Sequence, residues 1–423
     1  MTEIVKRDEK RLIPTYQETA GDICAALEKN LALAALFINC ARIQSIEKIF
    51  GKKIYQDILA KVHGIIIELK GNVVRQDDVI VTADSGGEEF LIFLSKKRES
   101  ETFYPTDLET LSSRLADHLN EKIFPLVVPY LKGRPRISVG YAIVLHNPLM
   151  RDERLLSRLV DDAKKMCSYQ EFKRLMRDKE KLQELILKES IRTLFHPIID
   201  IAQGNSIIGY EALTRGPKGT EYESPYVLFD AAAETELIFE LDSLCRRKAL
   251  HNARGIKSEH KLFLNCMPSA ILDPGFRETS VEFCLKELGI KPQNLVIEVT
   301  EREAIENYDL FREAVRFYSE VGFSIAVDDT GSGYSSLETV VELKPHYIKL
   351  DISIVRGIDK NILKQELLKA LNGLANKMGS IVIAEGIETE EELGALKQLG
   401  ITLGQGFLFG KPSAVFPLNK LNQ

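Results

Sequence analysis

The residues in this chain best suited to chemistry are carboxylates, and the most conspicuous pair closes an apolar run: Ile325-Ala-Val-Asp328-Asp329, followed by Thr330-Gly331-Ser332-Gly333. Two adjacent acids at a strand end commonly form a solvated turn or cap a helix. Here they have company, because further apolar runs end at or near Glu211, Asn265, Glu298, Lys349, Glu385 and Gln405. Glu211, Asn265, Glu298 and Asp328 offer hard oxygen donors with no convincing His or Cys beside them, a set that favours Mg²⁺ or Mn²⁺ over Zn²⁺. If the loop turns Asp328 and Asp329 both inward, the pair could span two ions, as in two-metal displacement at phosphorus. So many acids at one mouth would repel strongly without cations.

Lys349 lies in Tyr347-Ile-Lys-Leu-Asp351, where apolar neighbours direct its ammonium toward the same mouth. It would either orient a water or simply pair with one of the acids. Glu385, in Ala384-Glu-Gly-Ile-Glu388, reads as a base, a further ligand or a helix-capping acid. Arg215 follows Glu211 closely and carries a fork of donors matched to phosphate, although a surface arginine looks the same in sequence.

These groups need a scaffold that brings distant segments to one rim. Residues 206–210, 261–264, 295–297, 324–327, 347–348, 381–384 and 403–405 are apolar runs separated by amphipathic stretches of βα-unit length. Such alternation predicts a parallel sheet, and seven or eight strands close into a TIM-like (β/α) barrel with its functional groups at the C-terminal strand ends. Ahead of it, residues 15–30 have helical spacing and 31–38 form an unbroken apolar run suited to a central, doubly buried strand. A helical pattern over 43–69, a hairpin from 77 to 94, a helix over 106–120 and a strand over 136–144 complete a smaller α/β domain. Residues 153–189 are charged and helical, without Gly or Pro, and read as a long linking helix.

Composition sets outer limits. The chain has 423 residues, 44% hydrophobic and 28% charged, with a net charge of -6. That is an ordinary globular composition for two to four domains, and it argues against a nucleic acid polymer as partner while leaving room for a small anion. The first residues lack a signal-peptide core, and the apolar run 31–40 is too short to span a bilayer, so a cytoplasmic protein without a membrane span is expected. Six cysteines without CxxC or metal-ligand spacing read as reduced core thiols.

Two family resemblances rest on these residues. Glu211-Ala-Leu213-Thr-Arg215, Asn265-Cys-Met-Pro268, Glu298-Val-Thr-Glu301, Asp328-Asp329, Lys349-Leu-Asp351, Ala384-Glu385-Gly-Ile-Glu388 and Gln405-Gly406 together resemble EAL domains, the cyclic di-GMP phosphodiesterases, over about residues 193–412. The resemblance implies hydrolysis of cyclic di-GMP to linear pGpG with two Mg²⁺ or Mn²⁺ ions per site. Glu211, Asn265, Glu298, Asp328 and Asp329 would be the metal ligands. Glu211, Lys349 and Glu385 would be catalytic, while Leu213, Arg215, Asp351, Glu388 and Gln405 would contact substrate and Glu301 would brace the loop after Asp329. Two positions depart from the family: Thr330 replaces a phenylalanine and His196 a glutamine.

Gly86-Gly87-Glu88-Glu89-Phe90, with Ile137-Ser-Val-Gly-Tyr-Ala142, resembles a GGDEF domain, the diguanylate cyclase family. Asn39 stands where a metal-binding aspartate is expected, and Glu47 and Gln56 stand where guanine-binding Asn and Asp are expected. Arg75-Gln-Asp-Asp78 looks like the family's product-inhibition motif but lies at a different distance from Gly86. The resulting plan is a helical segment over 1–30, a nucleotidyl-cyclase-like degenerate GGDEF domain over 31–150, a linker helix over 151–192 and the EAL domain over 193–423. The degenerate domain would serve regulation or homodimer contacts, with residual GTP binding open. The alternatives are a non-hydrolysing cyclic di-GMP receptor and a bifunctional cyclase and phosphodiesterase.

Overall fold

The structure, a computed structural model, describes residues 13–83, 86–94, 103–128, 130, 136–273, 284–300, 308–330 and 344–416. The chain divides into two compact units, Met1–Asp178 and Lys179–Gln423. The first contains α1 (Tyr16–Asn30), β1 (Ala32–Asn39), α2 (Gln44–Phe50), α3 (Lys52–Glu68), β2 (Val79–Thr82), β3 (Glu89–Leu94), α4 (Phe103–Val127), β4 (Ser138–Leu145) and most of α5 (Asp152–Leu187). Its sheet runs β2-β3-β1-β4, with each pair antiparallel.

The continuous apolar run becomes β1, an interior strand covered on both faces. Ala34, Leu36 and Ile38 join Ile58, Val62 and Ile66 of α3 and Leu115 and Leu119 of α4, whereas Leu33, Ala35 and Phe37 join Ile23 and Leu27 of α1 and Leu155 and Leu159 of α5. A strand buried on both sides needs no polar alternation. The helix expected over 43–69 is instead a 3₁₀ turn followed by α2 and α3, broken at Gly51, whose φ of 82° ends one helix and starts the next.

At Gly140 the strand β4 passes so close to α5 that a Cβ there would lie 2.1 Å from the Ala163 carbonyl oxygen. Backbone cannot yield as a flexible side chain would. Gly140→Ala is therefore expected to destabilise this unit by about 2 to 3 kcal/mol through overpacking, read as a lower denaturant midpoint with an unchanged slope.

The second unit begins with β5 (Arg192–Asp200), β6 (Ser206–Arg215), α6 (Pro225–Glu234), α7 (Ile238–Asn252), β7 (Lys261–Asn265) and β8 (Leu295–Thr300). It continues with α8 (Tyr308–Val321), β9 (Ser324–Thr330), β10 (Tyr347–Leu350), the single-turn α9 (Ile352–Val355), α10 (Ile362–Met378), β11 (Ile381–Ala384), α11 (Glu390–Gln398) and β12 (Leu403–Gly404). The strands close into a barrel in the order β10-β11-β12-β5-β6-β7-β8-β9.

The all-parallel expectation needs a correction, because β5 is antiparallel to both β6 and β12. The link from β5 to β6 is a tight turn through Gly204 and Asn205, both at positive φ, and is far too short for a parallel crossover. Pro197 inside β5 also hides the strand in the sequence, since proline lacks the N–H that a ladder needs.

Inside the barrel, Ile198, Phe263, Val296, Ala326, Tyr347, Ile383 and Leu403 form one buried apolar layer. Side chains on a strand alternate, so the next inward position lies two residues on. On the parallel strands those positions are Asn265, Glu298, Asp328, Lys349, Glu385 and Gln405. On the reversed strand, two residues back from Ile198, the corresponding residue is His196. Among the described residues, no helix is long and apolar enough to cross a membrane.

Candidate active site

The polar layer above that apolar plug converges on one ammonium. Lys349, 1% exposed, has Nζ 2.7 Å from Glu385 Oε1, 2.9 Å from Glu298 Oε1, and 3.4 Å from both Glu211 Oε1 and Asp328 Oδ1. Glu211 is further held on both oxygens: Asn265 Nδ2 donates to Oε1 at 3.2 Å and Gln405 Nε2 donates to Oε2 at 2.9 Å. Segments far apart in sequence thus place Glu211, Asn265, Glu298, Asp328, Lys349, Glu385 and Gln405 in one cluster.

Charge and burial compete here, and the outcome differs from group to group. Burial alone would raise the Glu211 carboxyl, but Lys349 and the two side-chain amides outweigh it, and its pKa falls below the ordinary value. For Glu298 and Glu385 burial dominates and holds both well above the usual carboxylate range, despite the attraction of Lys349. Burial disfavours the Lys349 ammonium too. The surrounding carboxylates more than offset it and push its pKa well up.

The donor set fits a hard divalent cation. Glu211, Glu298 and Asp328 each present a carboxylate oxygen within 4.8 Å of the others. Glu298, although in ion-pair range of Lys349, accepts no well-directed hydrogen bond on either buried oxygen from the described residues. A buried carboxylate with free lone pairs facing two more acids is the arrangement that oxygen-liganded cations complete.

Several other expected site residues lie around this cluster. Leu213 and Arg215, at the end of β6, line a 290 Å³ cavity together with Phe229, Asn265, Met267 and Glu298. Asp351 caps α9, its Oδ1 accepting from the Ser353 N–H at 2.8 Å, and Glu388 pairs with Arg356 at 2.7 Å in an exposed contact. Neither is joined to the acid cluster by a contact. Asp329 lies on β9, with its side chain outside the described residues, and Glu301 is outside them altogether. Thr330 is buried, and its hydroxyl finds no hydrogen-bond partner among the described residues. His196 pairs in register with Glu211, its Nε2 lies 3.1 Å from the Gly410 carbonyl oxygen, and burial pulls its pKa below the ordinary histidine value.

One group escaped the sequence reading. Asp242 and Arg246 of α7 form a buried ion pair at 2.8 Å; Arg246 also reaches Asp273 at 3.3 Å, and Asp242 accepts from the backbone of Met267. This network anchors both ends of the segment that follows Asn265. The signal available was an Asp and an Arg four residues apart on the same helix face as Leu241, Cys245 and Ala249. Arg246→Met leaves two acids without their counter-ion and is expected to cost about 3 to 5 kcal/mol of stability, measured by chemical denaturation.

In the first unit, Gly86 to Phe90 form the end of the β2–β3 hairpin and the start of β3. Gly87 has φ 82°, and its carbonyl oxygen is 2.8 Å from His63 Nε2. The buried Glu88 carboxylate accepts from the Tyr55 hydroxyl, Glu89 pairs with Lys164 at 2.7 Å, and Phe90 is fully buried. Asn39 Oδ1 accepts from the Ala41 N–H at 2.9 Å, Glu47 and Gln56 are exposed, and Asp78 Oδ2 accepts from the Arg75 N–H at 2.8 Å.

Comparison with known proteins bears on the family and the fold. The chain is 31% identical over 248 residues to the probable cyclic di-GMP phosphodiesterase PdeG of Escherichia coli (strain K12), covering 57% of this chain and 48% of that protein. It is 25% identical over 382 residues to the cyclic di-GMP phosphodiesterase PdeA of Borreliella burgdorferi, covering 86% of this chain and 53% of that one. The chain thus spans about half the length of these curated relatives. In fold it matches the crystal structure of the Xanthomonas citri FimX EAL domain in complex with c-di-GMP, with a TM-score of 0.53 at 19% identity, covering 59% of this chain and 99% of that domain. The EAL domain family matches residues 179–412, more than half of the sequence, and this chain belongs to that family.

Proposed function

We propose that this chain hydrolyses cyclic di-GMP to linear pGpG at the barrel rim in a metal-dependent reaction. The observation that carries this reading is the trio Glu211, Glu298 and Asp328 converging within 4.8 Å, with Glu298 in ion-pair range of Lys349 but accepting no well-directed hydrogen bond from the described residues. Glu211, Asn265, Glu298 and Asp328 would hold one Mg²⁺ or Mn²⁺, and Asp328 with Asp329 a second. Bound there, a divalent cation supplies positive charge to the phosphoryl oxygens and lowers the pKa of water.

The chain's own groups do the rest. Lys349 Nζ and Glu385 Oε1, 2.7 Å apart, form a donor and acceptor pair that positions the attacking water. Glu385 takes the proton as the water oxygen bonds to phosphorus; the P–O3′ bond breaks, and the leaving 3′ oxygen takes a proton from solvent. Arg215 grips a phosphate with its guanidinium fork and Leu213 lines the nucleotide pocket. Gln405 fixes Glu211; Asp351 and Glu388 would contact substrate, and Glu301 would brace the loop after Asp329.

The first unit is, in this reading, a catalytically degenerate GGDEF domain over residues 31–150, joined through the 151–192 helix to the EAL domain and acting in regulation, homodimer contacts or GTP binding. The Gly86 to Phe90 hairpin and the four-stranded sheet support it. So does the commitment of Asn39 to the Ala41 N–H and of Glu88 to Tyr55, which leaves the metal-binding positions occupied by the protein itself.

Incubation of the purified chain with cyclic di-GMP and Mg²⁺ or Mn²⁺, followed by separation of products, tests the proposal. Linear pGpG is expected. Binding without pGpG would make the chain a receptor, and cyclic di-GMP made from GTP would make it bifunctional.

A further inference from the structure

The first unit has a second concavity, remote in lining from the Gly86 to Phe90 hairpin. A cleft of about 650 Å³ opens at the β4 edge of the sheet, between α4 from Glu109 to Asn120, residues 137–139 at the entry to β4, and α5 from Gln170 to Arg177. Its walls carry four cations, Arg114 from α4 and Lys173, Arg174 and Arg177 from α5, against two acids, Glu109 and Asp117. Four minus two leaves a local charge of +2 in a chain whose net charge is -6.

Three of these cations, Arg114, Lys173 and Arg177, are the ones a phosphate would meet. Asp178, the neighbouring acid on α5, is taken by Arg136 at 2.5 Å. Among the described residues Arg114 and Arg177 make no ion pair, and Lys173 Nζ instead sits 6.0 Å from the Tyr169 ring centroid. The hydroxyls of Thr110 and Ser113 add donors at the same walls.

The floor of the cleft is fixed in advance. Asn120 Nδ2 donates to the Ile137 carbonyl at 3.1 Å and its Oδ1 accepts from the Ile137 N–H at 2.9 Å, which ties α4 to β4. The Arg136–Asp178 pair ties β4 to α5 in the same way. A preformed cleft loses little entropy on binding. Its volume lies within the roughly 300 to 1,000 Å³ of small-molecule sites and exceeds what a phosphate ion fills. Ala116, half-buried, gives it a small apolar surface beside the cations, while Ile137 and Val139 beneath it are buried in the core.

We propose that this cleft binds a small organic polyphosphate of the nucleoside di- or triphosphate class. The phosphates meet Arg114, Lys173 and Arg177, where guanidinium and ammonium groups make charge-assisted hydrogen bonds. The base and sugar lie against the α4 wall beside Ala116. Occupancy clamps α4 to α5 across the β4 edge and stabilises the unit by mass action.

The test is calorimetric titration of the full chain with ADP and with pyrophosphate in EDTA, which silences metal-dependent binding elsewhere. One ADP per chain is expected, with pyrophosphate weaker. Replacing Lys173 and Arg177 by glutamine (K173Q/R177Q) should weaken ADP by about tenfold or more, since each lost charged hydrogen bond is worth about that factor, while the ligand-free thermal midpoint stays put. The proposal fails if no saturable heat appears, if K173Q/R177Q binds ADP as the parent chain does, or if pyrophosphate binds as tightly as ADP.

Discussion

Lys349→Met is expected to turn the barrel rim into the weakest part of the protein. Four carboxylates lie within 3.4 Å of Nζ, and the methionine keeps the volume while removing the charge that lets them coexist. Breaking a buried charge cluster by deleting one side costs about 3 to 5 kcal/mol. For a unit of this size that is roughly 10 °C in thermal midpoint. The loss has a pH signature. Glu298 and Glu385 already have raised pKa values with the ammonium present, and without it they rise further.

A carboxyl whose folded pKa exceeds its unfolded value binds more protons in the native state between those two values, so stability falls as pH increases through that window. The variant should therefore lose more stability at pH 8 than near pH 5. Added Mn²⁺ should restore part of the midpoint at pH 8 by replacing the missing positive charge. Thermal melts at the two pH values, in EDTA and with metal, decide it. A variant that melts like the parent chain under all four conditions would show that the ammonium does not hold these acids together.

How much of this could be read from the sequence varies by element. The acids and Lys349 were legible because strand ends in a closed barrel are where polar residues follow apolar runs, and the two-residue offset from the interior layer of Phe263, Val296, Ala326 and Tyr347 is the physical form of that signal. Strand β1 was legible for a similar reason, since eight residues with no polar interruption before Asn39 require cover on both faces. Lys349 was only half readable. The sequence offered a salt bridge or a water-orienting role as alternatives, and the geometry shows pairing with four acids at once.

What stayed hidden depended on neighbours distant in the chain. Pro197 disguised β5, and its antiparallel direction follows from a tight turn that has no hydrophobic pattern of its own. The Asp242–Arg246–Asp273 network could not be found from periodicity, because its meaning depends on Asp273 arriving from another segment. The break at Gly51 was missed in a stretch read as one helix over 43–69, because Gly64 in the same stretch stays helical and only the positive φ of Gly51 tells the two apart.

Glu211→Gln is expected to separate stability from activity in the opposite sense. The parent carboxylate accepts from Asn265 on one oxygen and from Gln405 on the other, so an amide in its place meets a donor where it now needs an acceptor. Gln405 can resolve the conflict by turning its own amide over, at little cost to packing. One negative charge also leaves a cluster in which Glu298 is already held well above its ordinary pKa. Stability in EDTA should therefore change by less than about 1 kcal/mol in either direction. Metal binding should not be spared. Loss of an outer partner alone typically lowers affinity by about 10 to 100-fold, and a direct carboxylate ligand should cost at least the upper figure. Turnover of cyclic di-GMP should fall by about 10³ even at saturating Mn²⁺, because the amide can neither carry the ligand charge nor hold Lys349 and Asn265 as the carboxylate does. Calorimetric Mn²⁺ titration, product formation and a denaturant melt on the same preparation give three readouts. If turnover and metal affinity both survive the substitution, the acid cluster at this rim is not the reaction centre.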